Sequence, residues 1–212
     1  MHAWARVELR LMRMNVSGFG LPFWLQWTTA AMIAGMLTRA THPRTLILTG
    51  FIFGLGQWVV LYLVLRSHAR LVHALWLPAT AISGLAGYLL IATLGVRVLG
   101  PVLIAYTSPY ENLASHLIFL TILWMFIGLG QYPLLRAVFF HPGCWIVVSA
   151  AGGATGALID LALQRAGMEI YTSLIAGMLA GGGYGLVTGR ALEQIIPPPP
   201  IGHLPQIRQH KD

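Results

Sequence analysis

Three tryptophans in this chain are each followed, eight positions later, by a glycine inside an apolar stretch: Trp27/Gly35, Trp76/Gly84 and Trp145/Gly153. After each comes a second apolar stretch that carries glycines and closes on an aromatic. These second stretches hold Gly50, Gly54, Gly56, Gln57 and Trp58; then Gly128, Gly130, Gln131 and Tyr132; then Gly177, Gly181, Tyr184, Gly185 and Gly189. The pattern reads as one unit of two membrane helices written three times. Each unit is two spans long, so all three share one orientation. That makes the repeat a parallel one, about an axis near the membrane normal.

Hydrophobic residues make up 57% of the 212-residue chain and charged residues 9%, against about 25% charged in an ordinary soluble domain. A soluble fold of this length cannot hide so much apolar surface, and the lipid bilayer is the expected solvent. The predicted fold class is all-α: an integral membrane bundle of six transmembrane helices arranged as three tandem hairpins. The spans fall at 18–38, 45–65, 73–94, 114–135, 142–163 and 170–191. About 20 residues rising 1.5 Å each cross a hydrocarbon core of roughly 30 Å. The first apolar stretch is too long for a signal peptide and has no small-residue cleavage site after it, so it reads as an uncleaved anchor.

The transmembrane domain covers 18–191. Before it, residues 1–17 set Trp4, Val7, Leu11 and Met14 on one helical face and Arg6, Arg10 and Arg13 on another. That is a basic amphipathic segment suited to lying on a membrane surface. After it, 192–212 form a Pro-rich tail that opens on four consecutive prolines, Pro197 to Pro200. Proline stops a helix and favours an extended polyproline segment. Residues 95–113 form a long connection between spans three and four. Arg6, Arg10, Arg13, Arg66, Arg70, Arg136, Arg190, Arg208 and Lys211 outnumber Arg39, Arg44, Arg97 and Arg165 on the opposite side. This places both termini in the cytoplasm. The net charge of +7 is thus a topology signal. The basic residues are spread over many loops, which speaks against a nucleic-acid partner.

No hydrophobic force draws helices together inside lipid, so close backbone approach at small residues must do it. Gly177, Gly181, Gly185 and Gly189 make such a ridge on the sixth span. Gly152 with Gly156, Ala30 with Ala34, and the repeat glycines Gly35, Gly54, Gly84 and Gly128 supply the others. A phosphate loop would need a preceding strand and a following Lys, and neither is present. The second and fourth spans align through Gly54-Leu55-Gly56-Gln57-Trp58 and Gly128-Leu129-Gly130-Gln131-Tyr132. In the sixth, the aromatic register puts Gly183 where the others have Gln.

These hairpins of GxxxGxxQW type, with a last helix ending near Tyr184-Gly185-Leu186-Val187-Thr188-Gly189, resemble a broad group of small bacterial polytopic membrane proteins that has no established activity. The resemblance covers 18–191 and implies a multi-pass protein of the bacterial inner (cytoplasmic) membrane. The chain departs from that pattern in its long connection at 95–113.

Little of the sequence carries chemistry. Gln57 and Gln131 are buried amides that face the bundle interior, as hydrogen-bond partners or as polar walls of a ligand cavity. Asp160 is the acidic residue inside a span, a proton or cation site or a partner for Arg165 on the same helix. His73 and His116 stand at helix starts and are the candidate ligands for a pigment such as (bacterio)chlorophyll; no metal site or other cofactor is predicted. Cys144 is the only cysteine, which excludes an internal disulfide. Trp and Tyr mostly flank spans and read as an aromatic belt. No catalytic grouping appears. The expected function is a non-catalytic accessory or scaffold subunit that packs against other membrane protein subunits through its small-residue faces. One alternative is a small-molecule transport component: the chain is similar in size to the substrate-binding membrane subunits of energy-coupling vitamin transporters, and Ala30-x-x-x-Ala34 resembles their coupling helix. Another is a photosynthetic subunit binding chlorophyll or carotenoid.

Overall fold

The computed structural model describes residues 21–40, 46–65, 70–93, 97, 111–138, 142–166 and 170–195. Among them are six α-helices and no strand. They are α1 (Phe23–Ala40), α2 (Leu46–Leu65), α3 (Arg70–Leu90), α4 (Glu111–Val138), α5 (Trp145–Arg165) and α6 (Ile170–Ile195). A 3₁₀ turn, Pro142–Cys144, leads into α5. The basic segment 1–17 and the prolines of the tail lie outside the described residues, as does nearly all of 95–113.

Among the described residues, three segments are long and apolar enough to cross a membrane: Val72–Thr93, Leu117–Ala137 and Pro142–Leu163. The stretch Leu48–Leu63 within α2 is apolar as well.

Each helix packs against the next in the chain, and α6 returns to pack against α1, closing a ring of six. The α1–α6 contact is the most extensive of all. The Gly-x-Gly motifs explain how one helix serves two neighbours. Residues two apart point about 200° away from each other on a helix. Gly54 accordingly faces Thr80 of α3 while Gly56 faces Ala30 of α1. In α4, Gly128 faces Ser149 of α5 and Gly130 faces Ser83 of α3.

The largest side chains fill the middle of the ring. Trp27, Trp76 and Trp145 are each 0% exposed, and Trp124 and Tyr184 are also buried. This corrects the aromatic-belt expectation for those residues: they build the core. The outer surface carries large aliphatics, among them Ile33, Ile82, Val147 and Leu158.

Candidate functional site

The centre of the ring is built from one rule applied three times. The first helix of each hairpin presents a Trp, a small residue one turn later and a Gly one turn after that: Trp27-Ala31-Gly35, Trp76-Thr80-Gly84 and Trp145-Ser149-Gly153. The second helix of another hairpin leans on the small residue through a glycine. A Cβ placed on Gly185 would lie 2.7 Å from the Ala31 Cβ, one on Gly54 2.9 Å from the Thr80 Cβ, and one on Gly128 2.7 Å from the Ser149 Cβ. No side chain fits there, so the glycine backbone sits directly on the small residue. The positions beyond carry the approach outward. A Cβ on Gly84 would lie 3.1 Å from the Gly50 Cα, Gly153 takes the Trp124 ring, and Gly35 meets Gly177 and Gly181. Gly189 lies against Trp24 and Trp27, Gly152 against Tyr184, and a Cβ on Gly156 would lie 2.9 Å from the Ala180 carbonyl oxygen.

Three residues past each of these contact glycines comes a polar side chain: Gln57 after Gly54, Gln131 after Gly128, Thr188 after Gly185. The register therefore corrects the sequence alignment of the third unit. Thr188, and not Gly183, occupies the place of the glutamines. Gly183 instead faces Ile159 and Thr155 of α5.

These three residues meet the tryptophans. The Trp145 indole N–H donates to Gln131 Oε1 at 3.1 Å, and the Trp27 indole N–H donates to Thr188 Oγ1 at 2.9 Å. Gln131 Nε2 donates both to Gln57 Oε1 and to Thr80 Oγ1, each at 2.9 Å. Gln57 Nε2 donates to the Tyr184 hydroxyl at 3.2 Å. These bonds touch all six helices, and every side chain in them is buried. A buried amide of this kind is tolerated in lipid only because its groups are bonded. Trp76 is the exception. Its indole N–H is buried and has no partner among the described residues, at a cost of about 1–3 kcal/mol.

Aromatic packing encloses this layer. Trp27 meets Trp76 and Trp145 edge to face, with centroids 6.2 and 6.4 Å apart. The second helices contribute Phe53, Trp124 and Tyr184. Trp124 stacks on Tyr184 at 3.8 Å, and Phe53 meets Trp124 edge-on at 4.7 Å. Each offset or edge-on pair adds about 0.5–1.5 kcal/mol beyond the area it buries.

Asp160, singled out by sequence, is 2% exposed and pairs with Arg39 from α1, a partner the sequence had not offered. The Arg39 stem crosses Gly177 of α6 on the way. A side chain at 177 would block that path, so the glycine makes room for a link joining α1 to α5 over α6. At the other end of the ring, Arg190 lies 3.9 Å over the Trp24 ring.

His73 stands between α2 and α3. Its ring packs edge-on against Tyr62 at 5.3 Å, and its carbonyl accepts from the Trp58 indole at 2.7 Å. The His116 side chain lies outside the described residues. Among the described residues, no three His, Cys, Asp or Glu side chains gather as a metal site. Comparison with protein-family models, with curated proteins and with solved structures finds nothing that matches this chain.

Proposed function

We propose that this chain is a non-catalytic scaffold subunit of a larger membrane complex in the bacterial inner membrane. Its three tandem hairpins make six spans with both termini cytoplasmic. One observation carries the reading: the interior is committed to itself. Gln57 and Gln131 spend their amide groups on each other, on Tyr184, on Thr80 and on Trp145. Three fully buried tryptophans fill the space beside them. Opening a ligand chamber there would break bonds that lipid cannot replace.

The glycine faces are used within the ring as well. A partner subunit therefore docks on the aliphatic exterior or on the segments at 1–17, 95–113 and 192–212, and not on the small-residue stripes. Solubilisation in mild detergent, affinity capture and mass spectrometry test the proposal, with an absorption scan of the same fraction. A stoichiometric membrane partner is the expected result. A monodisperse chain with no partner overturns it. Thermal stabilisation by an added small molecule would favour the transport reading instead, because a ligand that binds only the native state raises its apparent stability.

A further inference from the structure

One hairpin meets the next in three places built on the same scheme, but the three are not equally secured. Gly35, Gly84 and Gly153 hold equivalent positions, two turns past the tryptophans and toward the end of the ring away from the termini. The Trp124 ring of α4 is sunk against Gly153, and the Ser149 hydroxyl donates to the Trp124 carbonyl at 2.8 Å. Gly35 lies against Gly177 and Gly181, and Arg39 crosses Gly177 to reach Asp160. Where α2 meets α3 there is no such latch. Gly84 faces Gly50, with 3.1 Å from an added Cβ to the Gly50 Cα, and no ring or long side chain of α2 locks against it. Thr49 carries the only polar side chain of 46–52. It is 5% exposed, and its hydroxyl has no partner among the described residues. No side chain of this stretch is therefore bonded to a neighbouring helix. The residues equivalent to Thr49, eight before Gln131 and Thr188, are Leu123 and Ala180, which have no polar group to satisfy.

The rest of α2 is anchored. Phe53 packs edge-on against Trp124 and Tyr184, with centroids 4.7 and 5.7 Å apart. Gln57 bonds to Gln131 and to Tyr184. The Trp58 indole donates to the His73 carbonyl at 2.7 Å, and the Tyr62 ring meets the His73 ring at 5.3 Å. The contact of α2 with α1 is the least extensive between neighbouring helices, so α1 adds little restraint.

We infer that 46–52 is a side door in the ring, the stretch that swings away from α3 before any other part opens. The pivot lies between Phe53 and Gln57. Gly54 and Gly56 stand there, and glycine eases the bending of a helix. The Thr49 hydroxyl favours the swing. Buried without a partner, it forfeits its hydration; it regains partners when the stretch moves out, because it lies within a turn of the start of α2. Opening bares the contact between Gly50 and Gly84 and leaves the network around Gln57 and Gln131 shut. A rise of about 1.5 Å per residue puts the start of α2 about 10 Å from Phe53. A bend of about 20°, the size of an ordinary helix kink, moves it by about 4 Å.

The test is pulsed electron paramagnetic resonance on the full-length protein in lipid nanodiscs, in a Cys144→Ser background. Nitroxide labels go on cysteine pairs at exposed positions of opposite helices, where they leave the core intact. Leu48→Cys with Leu158→Cys reads the free end of α2 against α5; Leu63→Cys with Val147→Cys reads its anchored end against the same helix. Leu85→Cys with Leu179→Cys reads α3 against α6. The first pair should show a broad distance distribution with a population shifted by about 4 Å, and the other two should be narrow. Thiol labelling gives a second reading. Thr49→Cys should react with a water-soluble methanethiosulfonate about tenfold faster than Leu123→Cys, its buried equivalent in α4, since local opening sets the rate. A first pair as narrow as the other two overturns the inference, and so does an equally broad second pair, which would mean that the whole helix undocks. Equal labelling of Thr49→Cys and Leu123→Cys overturns it as well. Where a buried cysteine prevents folding, the spin-labelled pairs decide.

Discussion

Gly181 and Gly182 are adjacent on α6, yet an added methyl group meets opposite fates at the two positions. At Gly181 it would run into the Ala31 carbonyl and lie 3.2 Å from the Gly35 Cα, all backbone atoms that cannot rotate away. At Gly182 it would meet the Met32 Cγ at 3.1 Å and Sδ at 3.6 Å, part of a side chain that can turn. Both Gly→Ala changes gain the same helix propensity, about 1 kcal/mol. Overpacking costs about 1–3 kcal/mol, and the upper end applies at Gly181 because only separation of α1 from α6 relieves the clash. Gly182→Ala should therefore stabilise by up to about 1 kcal/mol and Gly181→Ala should destabilise by about 2 kcal/mol. At about 2–4 °C per kcal/mol for a chain of this size, the two midpoints should differ by roughly 6–12 °C. Circular dichroism melts of both variants in one detergent measure this directly, and the propensity term cancels between them. Equal midpoints, or a Gly181→Ala variant more stable than the parent, would refute the claim that backbone contact at this glycine joins the first helix to the last.

Three further expectations follow from the same geometry. Gln131→Leu removes three interhelical bonds and Gln57→Leu two; at roughly 0.6 kcal/mol each, denaturant titration should show losses of about 2 and about 1 kcal/mol, in that order. Arg39→Ala removes the Arg39 guanidinium from the buried Asp160 carboxylate and should cost about 3 kcal/mol, of which the double change Arg39→Ala/Asp160→Asn should return more than half; a double variant no more stable than the single one would remove the pair from the account. Cys144 is exposed beside the start of α5, on the side assigned to the cytoplasm, and a membrane-impermeant maleimide should label it only after the cells are opened; labelling of intact cells would invert the proposed topology.

Much of the ring was legible in the sequence because glycine spacing reports backbone contact directly. Gly35 and Gly181 stood out as contact residues, and they meet. Gln57 and Gln131 stood out as an equivalent pair, and they bond to each other. What escaped the sequence depends on which helices become neighbours. The aromatic register put Gly183 where the other units have Gln, whereas the contact glycine sets the register and leads to Thr188. Trp27, Trp76 and Trp145 lie near helix ends and so looked like interfacial residues; only the ring shows that their faces point inward. The pairing of Asp160 with Arg39 becomes visible only once α6 has brought α1 beside α5.

That closure also sets an order of events during synthesis. Chain growth makes α1 first and α6 last, yet these two share the most extensive contact. Until α6 is complete, the groove at Ala31 and Gly35 lacks the helix that fills it. A nascent chain arrested before Ile170 leaves that groove bare, and Arg39 then lacks the Gly177 surface that carries it toward Asp160. Completeness of translation is thus recorded at the seam between the oldest and the youngest helix.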